Sequence, residues 1–376
     1  MQLAIGDLKK SSRPLSGHRC GLGVAIAGAG LISALGNSAD ETWGQLVRGE
    51  FISDHSMVNK QWGCQSRVVG LALDAAREAA GEAGWNDEEI RSAGLVVGTS
   101  KGAIVDWIEN GSCGAGVGDV AFEVARELGI GFGPRLTISA ACASGLLALI
   151  RGALMIKAGE AKRVLVVAAE ASVHDLFIAS FRRLGVLAKA GEGCRPFDQA
   201  RTGFLMSEAG AAVCLESASD GGGDDVLIEN MAMGADATHL IGGDERASTL
   251  RALLEDVLDG RPVDLIHAHG TGTVQNDAME LSAVEDSVAT FGGMRPALYS
   301  HKGALGHSLG AAGLVSVVIN RMCHTKGVVP PGIGQRSMSM SRVEMSQRAQ
   351  NRAVQKSLAI AAGFGGAMGV VSLVTA

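Results

Sequence analysis

The sequence predicts an α/β protein built from two copies of one unit, and three observations carry this. From Val24 onward, β-branched apolar runs alternate with amphipathic helical stretches, the pattern of strands covered by helices. Four short apolar-to-glycine patterns recur in the same order in the two parts of the chain, the signature of an internal repeat. Glycine is abundant (53 of 376 residues) and aromatic residues reach only 4%, which suits close packing and backbone approach to a ligand.

Taken in order, residues 1–22 read as a polar, mobile leader. Strands are predicted at 23–28, 94–98, 135–139, 163–169 and 209–216, then at 225–230, 263–268, 296–300, 357–362 and 368–374. Helices are predicted at 39–48, 66–84, 117–129 and 143–158, then at 245–259, 276–289 and 308–326. The Gly/Asp/Ser cluster from Ser217 to Asp225 reads as a turn or linker, dividing the chain into 23–217 and 225–376.

The repeat lies across that boundary. Leu95–Thr99 parallels Ala268–Thr271, each an apolar strand end closing on Gly-Thr. Leu136–Ser139 leads into Cys142-Ala143-Ser144-Gly145-Leu146 as Ala297–Ser300 leads to Gly310-Ala311-Ala312-Gly313-Leu314. Val164–Glu170 matches Leu358–Gly363, and the run from Gly210 matches the run from Gly369. Gly98 to Gly145 is 47 positions and Gly270 to Gly313 is 43. The expected arrangement is two units face to face with a site between them.

Composition narrows the function classes. Hydrophobic residues make up 47%, yet no uninterrupted apolar stretch reaches the roughly 18 to 20 residues that span a bilayer. With no signal-type apolar segment near Met1, a cytoplasmic protein without a membrane partner is expected. Seven scattered cysteines, without a Cys-x-x-Cys pair, argue against a disulfide framework and a zinc site, so no metal is expected. A net charge of −6 gives no global field for nucleic acid. Arg182, Arg183, Lys189, Arg195 and Arg201 form a local basic group, either a binding patch or an ordinary solvated face.

Four strings place reactive groups beside small residues. Cys142, in Ala-Ala-Cys-Ala-Ser-Gly, stands between a strand and a helix, where the helix N-terminus favours thiolate and small neighbours leave room for an acyl group. A buried cysteine can also be inert core. His269 ends an apolar strand before Gly-Thr-Gly-Thr, where ligand crevices form in α/β sheets; His267 sits deeper and reads as structural. His307 and Lys302 share a glycine-rich turn, and a nearby lysine disfavours imidazolium, leaving a neutral N–H donor. Lys302 also has the reach to tie loops together. Gly363-Phe364-Gly365-Gly366 allows a tight turn whose amide completes an oxyanion hole. Asp198, Arg201, Glu208, Asp277 and Glu280 read as turn-anchoring polar groups.

In combination these strings, with Arg195-Pro196-Phe197-Asp198, Arg201-Thr202-Gly203-Phe204 and Asn276-Asp277 with Glu280, resemble the β-ketoacyl-ACP synthase family of the thiolase superfamily, nearest its elongating type. The resemblance covers nearly the whole chain from Val24. It implies a five-layered α-β-α-β-α thiolase fold with two pseudo-symmetric halves, a homodimer, and a Cys142–His269–His307 triad supported by Lys302. It further implies acyl transfer to Cys142 and decarboxylative condensation with malonyl carried on acyl carrier protein, in fatty acid or polyketide-type synthesis. No cofactor is implied beyond the phosphopantetheine, or coenzyme A, that bears the substrates. The amides of Cys142 and Phe364 would hold the oxyanion; Thr271, Thr273, Phe364 and Gly365 would meet the pantetheine arm. Phe364 would act as a gate.

Three departures from the family pattern fall around the acyl pocket and dimer surface: short segments at 51–67 and 106–117, and Ile360-Ala361-Ala362 in place of an Asn-Ser-aromatic run. They keep two other readings in play. One is a chain-length-factor-like partner in a heterodimer, although such partners normally lack the cysteine. The other is a decarboxylase or acyltransferase on the same fold. A degradative thiolase is disfavoured because the late cysteine, Cys323, lies inside a predicted helix.

Overall fold

The computed structural model describes residues 23–63, 65–111, 116–218, 225–239, 243–334 and 337–376. The leader 1–22, Cys64, Cys113 and the centre of the 217–225 boundary lie outside the described residues.

The first part of the chain runs β1 (Val24–Ser33), α1 (Ala39–Arg48), α2 (Arg67–Glu82), α3 (Asp87–Ser92), β2 (Gly94–Gly98), α4 (Ile104–Asn110) and α5 (Asp119–Leu128). It continues with β3 (Arg135–Ile138), α6 (Ser144–Lys157), β4 (Arg163–Glu170), α7 (Asp175–Arg183) and β5 (Ala209–Ser217). The second part runs β6 (Val226–Ala235), α8 (Ser248–Leu258), β7 (Leu265–His267), α9 (Val274–Ser287), β8 (Ala297–Tyr299) and α10 (Lys302–Leu305). After a single tight turn at Leu309–Ala311 come α11 (Ala312–Lys326), the short pair β9 (Val328–Val329) and β10 (Gln350–Asn351), β11 (Lys356–Ala362) and β12 (Ala367–Thr375).

Strand order carries the internal repeat. The first five strands lie β3-β2-β4-β5-β1, and the next five continue β6-β12-β11-β7-β8, the mirror sequence. Pairing sense matches too: β2 runs parallel to β3 and β4, as β7 does to β8 and β11, while the remaining pairs are antiparallel. Among the described residues the strands of the two arrays pair through Val24 with Ile228 and Ala25 with Leu227. Beyond that point the N–H groups of Ala29 and Leu31 donate instead to Glu82 and Glu78 of α2, at 2.7 and 2.8 Å. Those bonds satisfy the edge of β1 where β6 has left it.

Side-chain alternation sorts the core into layers. Val164, Val166 and Ala168 of β4 face a central core, and Leu165, Val167 and Ala169 face an outer one with α2 and α5. In the second part Ala359 and Ala361 of β11 face the same central core, whereas Leu358 and Ile360 face α8 and α9. The central layer is α6 and α11, packed on each other and on strands of both arrays. Both helices are buried along most of their length, as expected of helices that are apolar nearly all round. This is an α-β-α-β-α arrangement with two pseudo-symmetric halves. No helix among the described residues is long and apolar enough to cross a membrane.

Most predicted strands appear, with β1 and β6 several residues longer than expected. Four short helices, α3, α4, α7 and α10, were not predicted. For α7 the reason is its start: His174 Nδ1 caps the Leu176 N–H at 3.1 Å, where Ser, Thr, Asp or Asn is the usual signal.

The two central helices meet where they begin. A Cβ on Gly145 would stand 3.0 Å from both Gly310 O and Leu314 N, and 3.1 Å from Ala168 Cβ. Replacing Gly145 by Val should therefore destabilise the fold by about 3 kcal/mol through overpacking, read as a lower thermal midpoint, whereas Val at exposed Gly81 should cost under about 1 kcal/mol.

Candidate active site

The turn from β3 to α6 presents Cys142. Ala141 takes φ +49, a left-handed conformation that costs a non-glycine residue energy and is tolerated only when its surroundings fix it. Ser144 supplies that fixing: its Oγ accepts from Ala140 N at 2.9 Å and donates to Ala141 O at 2.7 Å. The Cys142 thiol reaches a cavity of about 330 Å³ and packs in one apolar cluster with Phe177 and Phe181 of α7. The expectation that the helix start favours thiolate does not hold for the free protein. Desolvation pushes the thiol up to about 11, against the opposing pull of Lys101 and Lys302.

His269 enters from the end of β7. Its N–H and that of Gly270 donate to the two oxygens of Glu280, at 2.6 and 2.7 Å, and Gly272 N–H donates to Asp277 at 3.1 Å. Asp277 and Glu280 lie three residues apart on α9, so one face of the helix holds the whole His-Gly-Thr-Gly-Thr turn. Lys302 is buried, and its Nζ donates to His269 O at 2.5 Å; it fixes the backbone of one imidazole while lending positive charge. Burial lowers its pKa and raises that of Glu280.

His307 is held from the other half. Its N–H donates to Leu205 O at 2.7 Å, and its carbonyl accepts from Ser207 N at 3.1 Å. Its ring centre lies 5.6 Å from that of His269 and 5.0 Å from Phe204, both edge-on. Its Nδ1 is buried without a hydrogen-bond partner among the described residues. Burial first, then the charge of Lys302, holds both imidazoles well below the ordinary histidine range. Each is neutral at physiological pH and can donate one N–H.

The Gly363–Gly366 turn closes the site. A Cβ on Gly363 would come 2.6 Å from Ala140 O and 3.2 Å from Cys142 N, so only glycine lets this turn lie against the cysteine amide. Phe364 lines the cavity, 6.4 Å from Phe181 between ring centres. Thr271 and Thr273 also line it, their hydroxyls 2.9 Å apart. Gly365 does not: it takes φ +85 and shapes the turn while its neighbours form the wall. Arg201 leaves the surface basic group, because its guanidinium donates to Thr273 O, Val274 O and Asp198 O. Arg182 and Arg183 stay exposed at the end of α7.

The structure thus brings Cys142, His269, His307, Thr271, Thr273 and Phe364 to one cavity, with Lys302 behind it. His267 stays outside, bonded to Asn320 and His301 at 2.8 and 2.9 Å. Sequence reading missed His301, Phe181 and Lys101. The first is buried beside Lys302 in an unremarked position, and the second belongs to the unpredicted α7.

Four buried imidazoles, at 267, 269, 301 and 307, share pKa values lowered chiefly by desolvation, with His267 near 3. The unfolded chain takes up protons below about pH 6.5 that the folded one refuses, so stability falls as pH drops through that value. Each group contributes up to roughly 1.4 kcal/mol per pH unit of that loss. The thermal midpoint should therefore fall steeply from pH 6.5 to 4.5, and less steeply in His301→Gln.

Residues 64–221 match the N-terminal domain of β-ketoacyl synthases and 228–336 match their C-terminal domain. Nodulation protein E of Rhizobium sp. (strain N33) is 31% identical over 361 residues, covering 82% of this chain and 87% of that protein. The 3-oxoacyl-[acyl-carrier-protein] synthase 2 of Mycobacterium bovis is 30% identical over 277 residues, covering 70% of this chain and 62% of that protein. Among solved structures, a ketosynthase from module 6 of the Bacillus subtilis bacillaene synthase superposes with a TM-score of 0.83 at 17% identity, covering 94% of this chain and 72% of that one. A type II polyketide ketosynthase in complex with its acyl-carrier protein gives 0.82 at 22%, covering 95% and 100%. Both structures share the fold. With two domain matches in tandem and a relative aligned over most of its length, the chain belongs to the β-ketoacyl synthase family.

Proposed function

We propose that this chain is a condensing enzyme that loads an acyl group on Cys142 and extends it with a malonyl unit carried on acyl carrier protein. One observation carries the reading: a thiol and two neutral, N–H-donating imidazoles from three distant segments share one cavity of about 330 Å³. A general base poised on the thiol would suit hydrolysis; two neutral donors suit charge that develops on a substrate oxygen.

In the loading step the Cys142 sulfur attacks the carrier thioester carbonyl, the tetrahedral oxyanion sits between the amides of Cys142 and Phe364, and the carrier thiol departs with a proton. That proton is the one the Cys142 thiol gives up, so loading leaves no charge in a site where desolvation disfavours thiolate. Malonyl thioester then enters past Thr271 and Thr273, whose paired hydroxyls suit the amides of a pantetheine arm. Loss of carbon dioxide leaves an enolate on the malonyl thioester oxygen, and His269 and His307 each donate an N–H to it. The enolate carbon attacks the acyl-Cys142 carbonyl; the new carbon–carbon bond forms as the Cys142 thiolate leaves, and that thiolate takes up a proton from solvent to restore the thiol. Lys302 supports both imidazoles in the neutral form through its charge.

Partner surfaces follow from exposure. Arg182 and Arg183 stand exposed at the end of α7, the helix whose Phe181 lines the cavity, a suitable landing for an acidic carrier protein. The β3 edge of the sheet carries Phe122 and Phe132, 58% and 81% exposed, beside it. A second ketosynthase-like chain covering that edge fits such a surface, and a second copy is the simplest partner.

Cys142→Ala should abolish acyl-enzyme formation in intact-protein mass spectrometry; full acylation of the variant by acyl carrier protein would sink the mechanism. His307→Ala should lower carbon dioxide release from malonyl carrier protein at least about 100-fold while still allowing acylation. Reversing Arg182 and Arg183 to Glu should weaken carrier-protein binding about tenfold at low salt, with the difference closing near 0.5 M salt. Equal affinities at low salt would return these arginines to an ordinary solvated face.

A further inference from the structure

Lys101 is a cation near the cysteine, on the same side as Phe177 and Phe181. It stands in the turn that leaves β2, and this turn lies against the start of α6: a Cβ on Gly98 would be 2.9 Å from Gly145 Cα and Ser144 O. Glu170 pins the turn, accepting from Ser100 N at 2.8 Å and from Gly310 N at 3.2 Å with the same oxygen. The Lys101 ammonium donates to Ser100 Oγ at 3.1 Å and stands 5.2 and 5.5 Å from the ring centres of Phe177 and Phe181. Among the described residues no carboxylate pairs with it. The same two rings cluster with Cys142, and Phe181 faces the cavity above the thiol. The Lys101 charge, like that of Lys302, lowers the Cys142 thiol pKa against the desolvation that raises it.

An acyl chain on Cys142 that runs between Phe177 and Phe181 would meet a positive charge laid over two aromatic faces. A plain alkyl chain that displaced the ammonium would leave it with one hydrogen bond beside apolar surface, which is costly. A chain ending in a carboxylate would instead give the ammonium an ion pair at reduced dielectric. The neighbouring space favours a short chain: a second cavity lies at Gly102, next to Lys101, and its wall carries Asp106 and Glu109, while the Arg67 there is already paired with Glu208 at 2.6 Å, so the net charge of the wall repels a carboxylate.

We propose that Lys101 is a specificity-determining residue and that the acyl group this enzyme loads is short and ends in a carboxylate that Lys101 receives. This rests on the condensing role assigned to Cys142. The test compares two thioesters of equal chain length, glutaryl and pentanoyl, as acyl donors to the full chain, with mass addition at Cys142 as the readout. Glutaryl should load at least about fivefold faster than pentanoyl; Lys101→Met should bring the ratio to one or below, and Lys101→Arg should keep it. A parallel measurement needs no acyl transfer: the rate of Cys142 alkylation by iodoacetate relative to iodoacetamide should fall about fivefold in Lys101→Met and persist in Lys101→Arg.

Equal ratios in the unaltered chain and Lys101→Met would overturn the proposal, including the case where both reagents slow together, which would make Lys101 an aid to thiolate formation alone. Alkylation that follows the expected ratios, with neither thioester loading, would support the anion-receiving role of Lys101 and count against the condensing reading.

Discussion

The close crossing of α6 and α11 is the constraint on which the rest depends. Each helix follows the turn that carries a reactive side chain: Cys142 precedes α6, and His307 precedes α11. Their separation is therefore set by how near the two helix starts approach, and Gly145 permits backbone contact there. Both helices are apolar almost all round, so burying them between two sheets supplies the driving force that holds the crossing shut. The reactive groups need no bond to each other. Their geometry is inherited from the core beneath them.

Around that crossing, buried charge fixes loops before it serves chemistry. Glu280 ties the amides of His269 and Gly270, Asp277 ties that of Gly272, and Glu170 joins the Ser100 turn to the head of α11. Lys302 reaches the same histidine turn from the opposite side. A buried carboxylate is costly unless its lone pairs are filled, and backbone N–H groups at 2.6 to 3.2 Å fill them here. The result is a wall whose polar groups are already committed, leaving the imidazoles and the thiol free for substrate. Burial explains their protonation as well: neutral rings and a neutral thiol are the forms the cavity tolerates.

Much of this was legible in the sequence because it is written in local pattern. Strand alternation, the four repeated glycine-ended runs and the small residues flanking Cys142 are all short-range signals, and they carried the two-unit repeat as well as the cysteine and histidines of the cavity. The turn-anchoring role of Asp277 and Glu280 could be read from their helical spacing. What escaped depended on neighbours far along the chain. The helix α7 starts on a histidine cap, so its Phe181 was absent from the predicted wall. Lys101 shows nothing unusual in sequence; only folding sets it over two rings from residues some 80 positions away. The protonation of Cys142 was misjudged for a related reason: a helix start is visible in sequence, whereas the apolar wall that outweighs it comes from α7 and the 186–206 segment.

The two backbone bonds between His307 and the Leu205–Ser207 segment bear on how substrates come and go. They stitch the second half to the first in the buried interior beside the cavity. Bonds of this kind oppose the swinging apart of two lobes on which domain closure depends. Side-chain rotation and loop motion are the changes that such a joint allows, and Phe364 and Phe181 both line the cavity with ring centres 6.4 Å apart. Such motions are fast and local, and turnover can be gated without disturbing the core that holds the chemistry in register.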